Sequence, residues 1–297
     1  MSIVIPQYDY QVVTGWFIQD NSTQVVTLPP SFGLLDPTEN GWSKIKEFLA
    51  KANGDDRVPG TIHKLLFLGR HGQGWHNVAE AKYGTAEWDR YWSKLNGDGE
   101  LVWGPDPDLT PLGIEQATSI NKMWRGELSQ GIPLPQAMYT SPFRRAINTQ
   151  TIEFAGWFYA NGTEPGMAIT SSIPKIVIED LHETSGEHTC DLRNTKTIIH
   201  QDFPFLAFEN GFVEEDPFWT PDHRETQAEQ DVRSRRALDK IMTADGTYIS
   251  VTSHSGTMAS IFRTIGHIAY PVTPGGVVPV IVKATQRPRP LQAQSAS

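Results

Sequence analysis

An alternation of short apolar runs with helix-length amphipathic segments constrains this chain more than any other feature. Lys64-Leu65-Leu66-Phe67-Leu68 is a continuous apolar run ending at Gly69, as expected of a strand buried on both faces. Similar candidate strands are 136–140, 175–179, 248–252 and 276–283. Between them lie helical patterns at 113–130, where Ile114, Ala117, Ile120 and Trp124 share one face, and at 144–160, 226–244 and 255–268. Strands alternating with helices predict an α/β fold, a three-layer sandwich with a mostly parallel central sheet flanked by helices. Residues 1–60 are rich in turn formers and read as an N-terminal extension packed on the core, with one helix near 41–50. The main domain is expected over 61–287 and a flexible tail over 288–297. Two stretches, near 78–104 and 182–225, break the rhythm and are rich in Trp, Phe, Gly and Pro. Long loops in compact domains tend to be functional, so these are expected to be inserted segments that build a lid or substrate pocket, the alternative being surface excursions with local packing only.

Charge and composition narrow the function. The formal net charge is -9, which argues against a nucleic-acid partner, since such proteins normally present a basic face. An anionic substrate would need a local positive patch working against the overall field. No run approaches the roughly 18 apolar residues that span a bilayer, and the N-terminus lacks a signal-peptide pattern. The expectation is a cytoplasmic protein with no membrane partner. A homodimer is left open. Cys190 is the single cysteine, so no internal disulfide can form.

In an open α/β sheet, ligands bind beyond the carboxyl ends of the strands. Four candidate strands end in reactive residues: Arg70-His71, Ser141 to Arg145, His182-Glu183 and Ser253-His254. Guanidiniums and imidazoles converging on one point suit a phosphoryl group, because Arg matches phosphate oxygens in pairs. A neutral imidazole can attack phosphorus and form a covalent intermediate. A carboxylic acid can protonate the leaving oxygen and then activate water.

The stretch Arg70-His71-Gly72-Gln73-Gly74-Trp75-His76-Asn77 resembles the signature of the histidine phosphatase superfamily, in its phosphoglycerate mutase-like branch. Leu109-Thr110-Pro111-Leu112-Gly113 with Gln116-Ala117 is similar to a second family segment. Ser141-Pro142-Phe143-Arg144-Arg145-Ala146 with Thr149 resembles a third, and its alignment selects Arg145 rather than Arg144. Val251 to Gly256 resembles the second-histidine motif. The run 70–80, together with 14–20 and 188–193, looks closest to a fungal subgroup of phosphoglycerate mutase-like proteins.

The resemblance implies that His71 is the nucleophile and Glu183 the general acid and base. Arg70, Arg145 and His254 would hold the phosphoryl oxygens, with Asn77 adding a hydrogen bond. It implies neither metal nor organic cofactor, and a small phosphorylated metabolite as substrate. Gln73 stands where true mutases usually carry Glu, and the aromatic inserts suggest a larger ester, so a phosphatase is expected. The alternatives are a phosphomutase, or the same fold redirected to isomerisation, hydrolysis or elimination on an apolar metabolite. Asp191 is expected to pair with Arg193 or to shape the pocket rim, and His182 is the minority candidate for tuning the neighbouring acid.

Overall fold

The computed structural model describes residues 7–22, 24–38, 40–159 and 173–287. The expected tail at 288–297 lies outside the described residues, as does Ala160 at the end of the predicted helix. The strands are β1 (Tyr8–Val13), β2 (Thr61–Arg70), β3 (Ala137–Thr140), β4 (Lys175–Val177), β5 (Ala207–Phe208), β6 (Tyr248–Ser253) and β7 (Val277–Gln286). The α-helices are α1 (Gly41–Asn53), α2 (Trp75–Tyr83), α3 (Thr85–Arg90), α4 (Pro111–Leu128), α5 (Arg144–Glu153), α6 (Lys196–Asp202), α7 (Gln227–Thr243) and α8 (Ser255–Ile265).

The strands form one sheet in the order β1-β7-β2-β6-β3-β4-β5. From β2 to β5 all pairings are parallel. Strand β7 runs antiparallel to both β2 and β1. Its direction follows from the connection before it. Gly266, in the left-handed conformation, ends α8. The chain then climbs back to the carboxyl end of β2, where Gly275 N–H donates to His71 O at 3.1 Å. Strand β7 must therefore run downward.

Alternation along the strands divides the core into two faces. Leu66 and Leu68 pack with Leu238 and Ile241 of α7 and with Met258 and Phe262 of α8. Leu65 and Phe67 pack with Trp42 of α1, Trp124 of α4 and Ile147 of α5. The fold is thus an α/β three-layer sandwich around a mostly parallel seven-stranded sheet. Helix α5 stops at Glu153, short of the predicted end, because Phe154, Trp157 and Phe158 turn inward to join the second core. Strand β1, within the N-terminal extension, carries too short and polar a pattern to be noticed in the sequence. No helix among the described residues is long and apolar enough to cross a membrane.

Glu80, Trp88 and Asp89 of the first irregular stretch and Glu183, His188 and Arg224 of the second line one cavity, while most of the aromatic rings of the two stretches pack inward. Trp88 and Trp103 close a small core of their own with Ala79 and Cys190, backed by Tyr83 and Trp92. Phe203 and Phe212 join the main core. Their bulk holds the irregular backbone down, since the first stretch adds no strand to the sheet and the second only the two residues of β5.

Candidate active site

The carboxyl ends of β2, β6 and β3 deliver His71, His254 and Arg145 to one place. His71 N–H donates to Ser253 O at 3.0 Å, which locks the first two strand ends together. The imidazoles of His71 and His254 lie 5.0 Å apart between ring centres, and His76 lies 5.3 Å from His71. The loop that carries His71 is held by the second motif. Gln73 N–H donates to Gln116 Oε1 at 2.7 Å, and Thr110 N–H donates to Gln73 O at 2.9 Å. The approach is so close that a Cβ on Gly72 would lie 2.3 Å from Gly113 O. That contact explains why glycine occupies position 72.

The His71 ring has a defined tautomer. Its Nδ1 lies 2.6 Å from Gly72 O, a carbonyl that can only accept, so the proton sits on Nδ1 and the Nε2 lone pair is free. His71 is about 1% exposed. Burial, and then the charges of Arg145 and Arg70, hold its pKa well below the ordinary histidine value, so the ring is neutral near pH 7. His254 is neutral for similar reasons: burial first, then Arg145. Its Nε2 lies 2.6 Å from Ser141 Oγ.

Arg145 is fully buried, with its guanidinium over the Phe143 ring. It donates from Nη1 to Cys190 O at 2.9 Å and from Nη2 to Asp191 Oδ1 at 3.1 Å. Arg144, its neighbour, turns outward to Asp108 and Asp202. The structure therefore places Arg145, not Arg144, beside the histidines. Arg70 donates from Nη1 to Val272 O at 3.0 Å.

Around His71, the buried Arg70 Nε, Arg145 Nε, His76 Nδ1 and His254 Nδ1 have no hydrogen-bond partner among the described residues. Buried polar atoms are rarely left unpaired, and a group of them calls for an explanation. A dianion with several acceptor oxygens supplies one.

Glu183 follows the short helical turn after β4. Its carboxylate accepts from Thr184 N–H at 2.8 Å, and from Ser255 Oγ–H and Gly256 N–H at 3.3 Å each. Arg233 grips the same loop from behind, donating to His182 O at 2.6 Å and Glu183 O at 2.9 Å. Glu183 lines a cavity of about 230 Å³ together with Arg70, Asn77, Glu80, Trp88 and Arg224. This lining is charged and polar. Asn77 reaches the cavity, but its Oδ1 is already occupied by Gly74 N–H at 3.0 Å, at the start of α2. Only its amide N–H groups remain for a ligand.

Several neighbours take partners that the sequence did not indicate. Asp191 pairs with Arg145 and with Arg224, at 2.9 Å for the second, rather than with Arg193. Arg193 instead binds Glu179 through two nitrogens. His182 meets the acid's backbone rather than its carboxylate: Nδ1 lies 3.0 Å from Glu183 O, Nε2 lies 2.9 Å from Asp216, and the ring packs edge-on against Phe143. Burial alone would lower its pKa, but the Asp216 carboxylate outweighs it and holds His182 above the usual value. Arg224 was missed altogether. It sits in an irregular stretch with no motif, and only its contacts to Thr184 O, Gly186 O and Asp191 reveal it. His188, Cys190 and Asp191 bring ligand-type atoms within 4.8 Å of one another. Two guanidiniums already hold Asp191 there, and their charge repels a cation.

The family model described as the histidine phosphatase superfamily (branch 1) matches residues 66–271. A protein named Probable phosphoglycerate mutase from Arthroderma benhamiae is 36% identical over 299 residues, covering 94% of this chain and 86% of that protein. Probable phosphoglycerate mutase PMU1 of Saccharomyces cerevisiae is 36% identical over 243 residues, covering 74% and 79%. Phosphomutase-like protein 3 of Candida albicans is 34% identical over 221 residues, covering 74% and 65%.

Proposed function

Because this chain belongs to the histidine phosphatase superfamily, we propose that it hydrolyses a phosphate monoester of a small metabolite through a phosphohistidine on His71. The observation that carries this reading is the convergence of unpartnered donors on a neutral imidazole. Arg70, Arg145 and His254 all present a buried nitrogen without a partner beside a ring whose Nε2 is free to attack.

The chemistry follows from that arrangement. His71 Nε2 attacks phosphorus while the bond to the leaving oxygen breaks. The two guanidiniums neutralise the equatorial oxygens, the main task in phosphoryl transfer, and the neutral His254 ring donates a hydrogen bond to them from Nδ1. Glu183 gives its proton to the leaving oxygen. Water then loses a proton to Glu183 and attacks the phosphohistidine, which releases phosphate and restores the imidazole. The Nδ1–H bond to Gly72 O stabilises the positive charge that develops on the ring during the first step. A cytoplasmic location is part of the same proposal.

The names of the relatives favour a second reading, transfer of the phosphoryl group back to the substrate. One experiment separates the two. The protein is incubated with radiolabelled phosphate ester, acid-labile phosphohistidine is trapped, and released phosphate is compared with interconversion of 2- and 3-phosphoglycerate. The phosphatase reading expects phosphate release, with phosphohistidine absent in His71→Ala. Efficient interconversion would establish the mutase instead. Turnover that needs Glu183 but never forms phosphohistidine would mean a redirected, non-phosphoryl reaction.

A further inference from the structure

Arg70 and Ser255 line two cavities. One is the polar cavity lined by His76 and Glu183. The other, of about 350 Å³, lies between α8 and the segment that follows it; its lining is chiefly apolar, with Ala259, Phe262, Tyr270 and Val272, and Arg263 and His267 also reach it. Its walls are fixed by the fold. Phe262, Tyr270 and Val272 are core residues, each 5% exposed or less. The His267 ring stacks on Phe262 with centres 4.8 Å apart, and Val272 O holds the Arg70 guanidinium at 3.0 Å. A preformed apolar cavity with a few polar groups at its border is the usual form of a small-molecule site.

The direction of the leaving group connects this cavity to the chemistry. The leaving oxygen must lie at the Glu183 carboxyl that protonates it. Ser255 Oγ is 3.3 Å from Glu183 Oε2, and Ser255 is also part of the apolar wall. The first carbon beyond the leaving oxygen would therefore emerge beside Ser255, with the apolar cavity next to it. The polar cavity, of about 230 Å³, is lined chiefly by charged and polar groups, so an apolar substituent finds its apolar wall in the neighbouring cavity.

We propose that the cavity between α8 and residues 267–272 binds the apolar portion of the substrate, so that the substrate class is a phosphate monoester of an apolar, medium-sized alcohol. This rests on the phosphatase reading of the same site. It relocates the apolar specificity expected from the aromatic stretches to a different side of the sheet.

The test uses the full chain and two readouts. Affinity for alkyl phosphonates, methyl to octyl, is measured by calorimetry, which needs no turnover. Hydrolysis of the matching alkyl phosphates is measured in parallel. Affinity is expected to rise about two- to fourfold per methylene, the gain for burying one CH₂. Ala259→Phe, which fills the cavity from the exposed side of α8, should flatten that gradient. Ala269→Phe does the same from the other wall if the first variant does not fold. A flat gradient in the unmodified protein, or one that survives both substitutions, overturns the inference. Failure of the phosphatase reading shows separately, as absence of phosphohistidine while the phosphonate gradient persists.

Discussion

Replacing Asp191 by Asn tests how the positive charge at the site is held. The two carboxylate oxygens of Asp191 each meet one guanidinium, Arg145 at 3.1 Å and Arg224 at 2.9 Å, and its side chain is 4% exposed. Burial alone would raise its pKa, yet Arg224 and Arg145 outweigh burial and hold it below the ordinary aspartate value. Asn keeps the shape and removes the charge, which leaves two guanidiniums without their counter-ion. Breaking a buried pair costs about 3–5 kcal/mol, and each kcal/mol moves the melting temperature of a domain this size by roughly 2–4 °C, so a fall of roughly 6–20 °C is expected. The same change should strengthen anion binding, because phosphate no longer competes with Asp191 for Arg145. At a hundredfold excess over its dissociation constant a ligand adds about 2.7 kcal/mol, so phosphate should recover much of the loss. The assay is thermal melting of both proteins across a phosphate titration. If Asp191→Asn melts as the unmodified protein does, or gains no more from phosphate, then Asp191 is not the counter-ion that sets the site's charge.

Two further outcomes follow from buried groups. Arg145→Ala should lower kcat/KM by the equivalent of about 2–5 kcal/mol, whereas Arg144→Ala, on the surface, should change it little; a reversed order would mean that the wrong arginine has been assigned. Glu153 is fully buried against Trp124, and burial lifts its pKa to about 8. Between pH 4.5 and 8 the unfolded chain ionises this group while the folded protein keeps it protonated, so the folded state binds more protons and stability drains away as pH rises. Glu153→Gln mimics the protonated acid and should remove that share of the pH dependence; melting curves at pH 5 and pH 8 that shift equally in both proteins would contradict it.

Much of the site was legible because its residues sit where periodic elements end. Hydrophobic runs locate strands, strands in a parallel sheet share a carboxyl end, and so His71, the Arg144-Arg145 pair, Glu183 and His254 are placed together; the family resemblance then selects Arg145. The second and third motifs were legible as signatures, but not as causes. Only the structure shows that Gly113 allows the His71 loop to approach, and that Gln116 and Thr110 hold Gln73. The antiparallel course of β7 was likewise invisible, since an apolar run carries no direction.

What the sequence determined by itself was the layer architecture and the placement of His71, Arg145 and His254 just beyond strand ends, because burial periodicity and strand-end position are local properties of the chain. What the tertiary structure alone decided was the surroundings: that Asp191 serves Arg145 and Arg224, that His182 belongs to Asp216, and that the aromatic stretches pack inward while an apolar cavity opens beside α8. Those pairings join residues tens of positions apart through irregular backbone. No period links them, so their partners are selected by competition among all groups that folding brings within reach.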